Sequence, residues 1–425
     1  MSMSCWWLLG LGLFCAPFAW NAVRPAFRPA WRAGLSFFAG WLTAELPFHH
    51  LAWQLALAGV WIGTGALAEP PGWVGLGLLL ANWAVLVFHL LRGLQSRRAL
   101  DAALSEQLGL APDPNEAGPP WCRLLLPWPI RPRGVERIER IAYRQVDGRE
   151  LHLDLYRARG GEQRARPVFL YLHGGGWIVG NRRQQGLPLL HFLAERGWLT
   201  ASADYRLAPR ATWPAMIADA KHALAWVREH GQRYGADPTF VAVGGGSAGG
   251  QLASLLALTA GDDFGAEPAE GDEIGVQACV NLYGVNDLCD DDLSRINPGM
   301  RPMLERWVFK SRLNANRARF ERASPLHRIQ AQAPPFLVIN GSSDTMVPLA
   351  GALRFARALR EVSGAPVVLG VVRGAQHAFD IFPSPRALAT VRCAYRFLEH
   401  VRARGKGCPP PMLRDESRKQ ASGQP

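Results

Sequence analysis

Residues 239–250 read TFVAVGGGSAGG: an apolar run enters consecutive glycines, then a serine, then small residues that open a helical pattern. A chain passes from strand to helix within a few residues only by a sharp turn, and glycine neighbours leave room for it. The G-x-S-x-G pattern of Gly245, Ser247 and Gly249 therefore predicts Ser247 on a strained turn between a buried strand and a helix packed against it. The same stretch satisfies G-x-G-x-x-G through Gly244, Gly246 and Gly249, the fingerprint of a dinucleotide loop. That alternative wants a second strand ending in an acid. Asp262 and Asp263 follow a helix pattern and no strand, so the turn is read as a nucleophile elbow.

From about residue 135 the pattern alternates. Strands are predicted at 137–144, 150–157, 167–172, 199–205, 239–243, 276–282, 336–340 and 367–372, with helices at 214–230, 248–260, 349–362 and 385–401. Several of these strands are continuous apolar runs, as expected where both faces of a sheet are covered. The reading is an α/β fold, an eight-stranded, mostly parallel sheet with helices on both faces.

The strand at 167–172 runs straight into His173-Gly174-Gly175-Gly176-Trp177. Consecutive glycines let backbone N–H groups converge on one point, where the oxyanion of an acyl-transfer intermediate could sit. The expected donors are Gly175, Gly176 and Ala248. A serine nucleophile also needs a base, and the base an orienting acid, in the order Ser, Asp or Glu, His for an elbow of this kind. His400 falls in the last helix pattern, and His327 in a region without strand signals. His377 follows the strand at 367–372 and is the expected base. Asp344, after the strand at 336–340, is the favoured acid. Asp287 is the alternative, and Asp380 is too close in sequence to His377.

The N-terminal region is of a different kind. Its first 91 residues carry Arg24, Arg28, Arg32, Glu45 and Glu69 as their charged side chains, and nine of the 16 tryptophans. Apolar segments run over 5–20, 33–46, 51–68 and 73–91, the last two long enough to span a bilayer as helices. No basic leader or small-x-small cleavage site marks 5–20 as a signal peptide. The positive-inside tendency wants both Arg24/Arg28/Arg32 and Arg92/Arg97/Arg98 in the cytoplasm. That requires an even number of crossings between them, assigned to 51–68 and 73–91, with 33–46 interfacial or re-entrant. The expectation is a multi-pass membrane protein with a cytoplasmic catalytic domain. It divides into membrane helices at 1–91, a linker with a possible interfacial or cap segment at 92–133, the catalytic domain at 134–403 and a disordered tail at 404–425.

The net charge of +12 does not point to nucleic acid: only four of the 47 basic residues are lysines, and the arginines are scattered. The seven cysteines show no CxxC or Cys/His metal spacing, so no metal site is expected.

HGGGW at 173–177, DYRLAP at 204–209, GGSAG at 245–249, D-x-x-V-P at 344–348 and QHAF at 376–379 together resemble the hormone-sensitive-lipase-like branch of the α/β-hydrolases, over roughly residues 135–402. With LTAELP at 42–47, the whole chain resembles bacterial membrane-associated carboxylesterases. The resemblance implies Ser247, Asp344 and His377 as a catalytic triad and His173, Gly174, Gly175 and Gly176 as the oxyanion loop. It implies a small-molecule ester as substrate, no cofactor, and DYRLAP as a structural support of the elbow. Soluble members build a cap from N-terminal helices; here apolar segments occupy that place, and residues 287–322 are a second source of cap. The expected activity is a serine carboxylesterase acting on short-to-medium, lipophilic esters. A deacetylase of N- or O-acetyl groups is the near alternative, and a non-catalytic ligand receptor the remote one.

Overall fold

The computed structural model describes residues 3–112, 121–160, 165–264, 275–289 and 297–405. The expected tail beyond 405, part of the expected linker at 92–133 and part of the expected cap at 287–322 lie outside them.

Eight strands form one sheet in the order β1-β2-β4-β3-β5-β6-β7-β8. They are β1 Val135–Val146, β2 Arg149–Ala158, β3 Arg166–Leu172, β4 Leu199–Ala203, β5 Ala236–Gly246, β6 Ala278–Leu282, β7 Phe336–Gly341 and β8 Val367–Val372. β2 pairs antiparallel with both β1 and β4, and every other pairing is parallel. The central strands β3, β4 and β6 are buried along their whole length, and apart from Arg166, Thr200, Ser202 and Asn281 they are apolar.

Side chains alternate between two cores. Val168, Leu170 and Leu172 of β3 point to the face covered by α6 (Ala215–His230), α7 (Ala248–Leu258) and α10 (Leu349–Val362). Phe169 and Tyr171 point to the other, covered by α5 (Leu187–Glu195), α11 (Pro385–Gly405) and the end of α4. The short helices α8 (Met300–Met303) and α9 (Arg317–Arg322) sit between β6 and β7 in sequence.

Four helices precede the sheet: α1 Met3–Val23, α2 Ala30–Glu45, α3 Pro47–Gly63 and α4 Pro70–Leu108. α1 and α4 are long and apolar enough to cross a membrane. α1 meets α4 through small residues: a Cβ on Gly75 would lie 2.5 Å from the Leu9 nitrogen, and one on Gly12 2.9 Å from the Gly75 oxygen. The buried Asn82 amide of α4 donates to Gln54 Oε1 of α3 at 2.6 Å, one of the polar links that join helices in apolar surroundings. The apolar segment at 73–91 was expected to give way to a linker at residue 92, but α4 is one unbroken helix of 39 residues. Nothing between Leu91 and Gln95 breaks helical geometry, and α4 ends only at Gly109, which takes the left-handed conformation. Its last turns enter the second core through Leu100, Ala103 and Leu104. Gln107 there exchanges hydrogen bonds with Leu369 of the edge strand β8.

Candidate active site

In a mostly parallel sheet the loops leaving the carboxyl ends of neighbouring strands converge on one edge. Here those loops follow β3, β5, β7 and β8, and they carry the oxyanion-loop glycines, Ser247, Asp344 and His377.

Ser247 sits at φ 56°, ψ −121°, a strained backbone for a residue with a side chain. The turn is possible because its neighbours lack a Cβ. One on Gly249 would lie 2.0 Å from the Leu172 oxygen, and one on Gly245 2.4 Å from Gly249. The Ser247 N–H donates to the Leu282 oxygen of β6 at 3.0 Å, which fixes the turn against the sheet.

His377 Nε2 lies 2.8 Å from Ser247 Oγ, and His377 Nδ1 2.7 Å from Asp344 Oδ2. The other carboxylate oxygen of the fully buried Asp344 accepts from the Met346 and Val347 N–H groups at 2.9 and 2.7 Å. With Asp344 accepting on every side, the imidazole proton is held on Nδ1 and the Nε2 lone pair faces the serine. Gln376 couples the two loops: its Oε1 accepts from the Thr345 N–H at 2.8 Å and the His377 N–H at 3.0 Å.

The oxyanion loop is folded by positive φ at Gly175, Gly176 and Trp177. Gly174 lies so close to the elbow that a Cβ there would be 2.8 Å from the Gly246 oxygen and 3.1 Å from Ser247 Cβ. Its N–H donates to Gln185 Oε1 at 2.7 Å. His173 Nδ1 donates to the Gly174 oxygen at 2.8 Å, and burial holds this imidazole below its usual range, so it is neutral. Tyr205 of the DYRLAP segment stacks on His173 at 4.4 Å and donates to its carbonyl at 2.8 Å. Asp204 and Arg206 of the same segment pair with Arg182 and Asp219. DYRLAP thus braces the oxyanion loop from below.

The alternative residues are engaged elsewhere. Asp287 Oδ1 is 3.5 Å from His327 Nε2, and its Oδ2 accepts from Arg354 at 2.8 Å. Burial would raise that carboxyl, but His327, the Cys289 N–H and Arg354 hold it below the usual carboxylate range. Asp287, Cys289 and His327 bring ligand-type atoms within 4.8 Å of one another. The Arg354 guanidinium on Asp287 puts positive charge where a cation would need the carboxylate, so the cluster does not suit a metal.

Sequence reasoning passed over three neighbours of His377 and its loop, Tyr283, Phe37 and Trp41. The Tyr283 ring packs edge to face with the imidazole, centroids 4.8 Å apart, and its hydroxyl bonds to the buried Asp380. Burial pushes the Asp380 carboxyl up and the Tyr283 phenol well above its usual range. Phe37 and Trp41, from α2, touch His377 and its loop. Gln376 was visible in QHAF; Phe37 and Trp41 carried no signal within an apolar segment.

Comparison with known proteins matches residues 153–359 to the BD-FAE family. The chain is 38% identical over 400 residues to LipM, a probable carboxylic ester hydrolase of Mycobacterium tuberculosis, with 90% of each chain covered. It is 35% identical over 319 residues to the esterase LipC of the same organism, covering 73% of this chain and 78% of LipC. Among solved structures, the butyrate-bound esterase Est2 of Thermogutta terrifontis superposes with a TM-score of 0.53 and 27% identity, over 63% of this chain and 95% of that one.

Proposed function

This chain belongs to the α/β-hydrolase carboxylesterases that include LipM and LipC, in the hormone-sensitive-lipase-like branch, and from that premise we propose that Ser247 is its nucleophile, His377 its general acid–base and Asp344 the carboxylate that orients the imidazole. The protein is a serine hydrolase of carboxylic esters. Ser247 Oγ attacks the acyl carbon while His377 Nε2 takes its proton. The oxygen that gains negative charge lies against the N–H groups of Gly175, Gly176 and Ala248. Collapse expels the alcohol, which recovers the proton from His377. Water, deprotonated by the same nitrogen, then attacks the acyl carbon; the bond to Ser247 Oγ breaks, Oγ recovers the proton from His377, and the carboxylic acid leaves. The observation that carries this reading is the continuous chain Ser247–His377–Asp344 at 2.8 and 2.7 Å. The butyrate bound in the Thermogutta esterase supports short-to-medium acyl chains as substrates.

The test is a panel of p-nitrophenyl esters from acetate to palmitate, with fluorophosphonate labelling. Labelling is expected at Ser247, and Ser247→Ala is expected to abolish both labelling and turnover. Persistent labelling of another serine would refute the assignment.

The reading extends to a bilayer-held enzyme, in which helices before residue 92 lie in or on the membrane and residues 134–403 carry the chemistry. Its support is geometric. α1 and α4 run side by side in the same direction: Cys5 lies beside Glu69 at one end, and the Ala22 backbone beside His89 at the other. α3, of 17 residues, returns between them and brings Thr64 to Ser4 at 2.8 Å. Three crossings of this kind leave Arg24, Arg28 and Arg32 at the same end as Arg92, Arg97 and Arg98. That end also bears the catalytic domain, as the positive-inside tendency asks of a cytoplasmic domain. Exposed Trp31, Leu35 and Phe38 on α2, and Leu125, Trp128 and Ile130 beyond α4, suit a membrane interface.

A further inference from the structure

One face of α2 lies across the two loops that carry Asp344 and His377. The Ala33 carbonyl accepts from Thr345 Oγ1, the residue after Asp344, at 3.0 Å. Trp41 Nε1 donates to the carbonyl of Ala378, the residue after His377, at 2.9 Å. Between these two contacts the Phe37 ring packs edge to face with the imidazole, centroids 5.9 Å apart at 73°. Residues 33, 37 and 41 are spaced by one helical turn and so share a face. Phe37 stacks on Trp41, and Trp41 on Phe382. Gly40 keeps this face close: a Cβ there would lie 3.1 Å from Asn21 and 3.5 Å from the Gln376 amide. At the end of the helix the buried Glu45 carboxylate accepts from Ser384 Oγ at 2.7 Å and pairs with the buried Arg386 at 3.2 Å. An isolated membrane anchor has no reason to contact, by separate hydrogen bonds, the residue following the acid and the residue following the base.

We propose that α2 is a bracket that sets the spacing of the acid and base loops, with Trp41 and Thr345 as positioning residues and Phe37 keeping water from the imidazole. The proposal rests on the triad assigned above. A relay of two short hydrogen bonds tolerates loop displacement poorly, because misplacement by about 1 Å can cost on the order of 10² in rate. Gln376 ties the two loops directly, and α2 ties them a second time from outside the sheet. The N-terminal region, in this view, is a working part of the site and not a detachable tether.

The experiment uses the full chain in detergent and p-nitrophenyl butyrate. Trp41→Phe keeps an aromatic ring against Phe37 and Phe382 but removes the N–H. Thr345→Val removes the hydroxyl at constant shape, and Thr345→Ser restores it. Trp41→Phe and Thr345→Val are expected to lower kcat about tenfold with KM within about twofold, and Thr345→Ser to recover most of the loss. A loosened acid supports the imidazolium less, so the acidic limb of kcat/KM is expected to move to lower pH in Thr345→Val. If Trp41→Phe does not fold, the Thr345 pair decides, and equal rates for the Val and Ser variants overturn the bracket. Unchanged kcat and pH profile in both Trp41→Phe and Thr345→Val, or a loss confined to KM, also overturns it. An active Ser247→Ala would instead bring down the triad, which separates the two failures.

Discussion

Asp344 accepts three hydrogen bonds, two from its own loop and one from His377. An amide in its place must turn an NH₂ toward one of those donors, or force the imidazole into the other tautomer with a proton facing Ser247. Asp344→Asn is therefore expected to fold and to lose up to about 10⁴ in kcat. Asp287→Asn is expected to lose less than about tenfold in kcat and to show its effect in melting temperature, because it strands the Arg354 guanidinium. Steady-state kinetics and thermal unfolding of the two variants check the ranking, and the reverse order would move the acid to the other strand end. His327, the remaining histidine between the elbow and β8, is committed to Asp287 and has no path to Ser247.

At the scale of elements, the packing of α1 on α4 gives a comparison internal to one helix. Gly75 faces the Leu8 and Leu9 backbone, while a Cβ on Gly77 would meet nothing within 4 Å. Gly77→Ala is expected to stabilise α4 slightly, by about 0.5–1 kcal/mol of helix propensity. Gly75→Ala adds the same methyl against backbone and is expected to cost about 1–3 kcal/mol. Melting in one detergent distinguishes them, and equal shifts would mean that the two helices do not touch as described. The sheet was legible in the sequence to within a few residues. β8 and α10 fall on their expected bounds, because buried parallel strands and amphipathic helices write period and composition plainly. The helix α5 was not read: its LPLLHFLAE segment is buried from Leu189 to Ala194 and is too apolar there to reveal a period. The join at Leu91 was misplaced because the change from apolar to charged composition does not bend a helix. Ser247, Asp344 and His377 stood out because each follows a strand within a glycine-rich or loop-like motif. The contacts of α2 with the two loops were hidden, because an apolar helix facing lipid and one facing His377 have the same composition.

At the scale of the whole molecule, the proposed bilayer-held arrangement with three crossings predicts that the protein stays in the membrane fraction through high-salt and carbonate washes, since apolar helix burial is not screened by salt. A reporter fused after Gly405 is expected to be active in a form that matures only in the cytoplasm and silent as an export-dependent phosphatase. Release by carbonate, or an active phosphatase, would overturn the placement. The continuous α4 has a further mechanical meaning. At 39 residues it is about 58 Å of rigid rod, and its last turns pack against the sheet and bond its edge strand. A protein on a flexible tether explores a hemisphere of solution above its anchor. One mounted on such a rod is held at a fixed altitude and tilt, so its search for substrate collapses to lateral diffusion in two dimensions. Esters that share that plane would be met far more often than those free in bulk, whatever the intrinsic selectivity of the pocket.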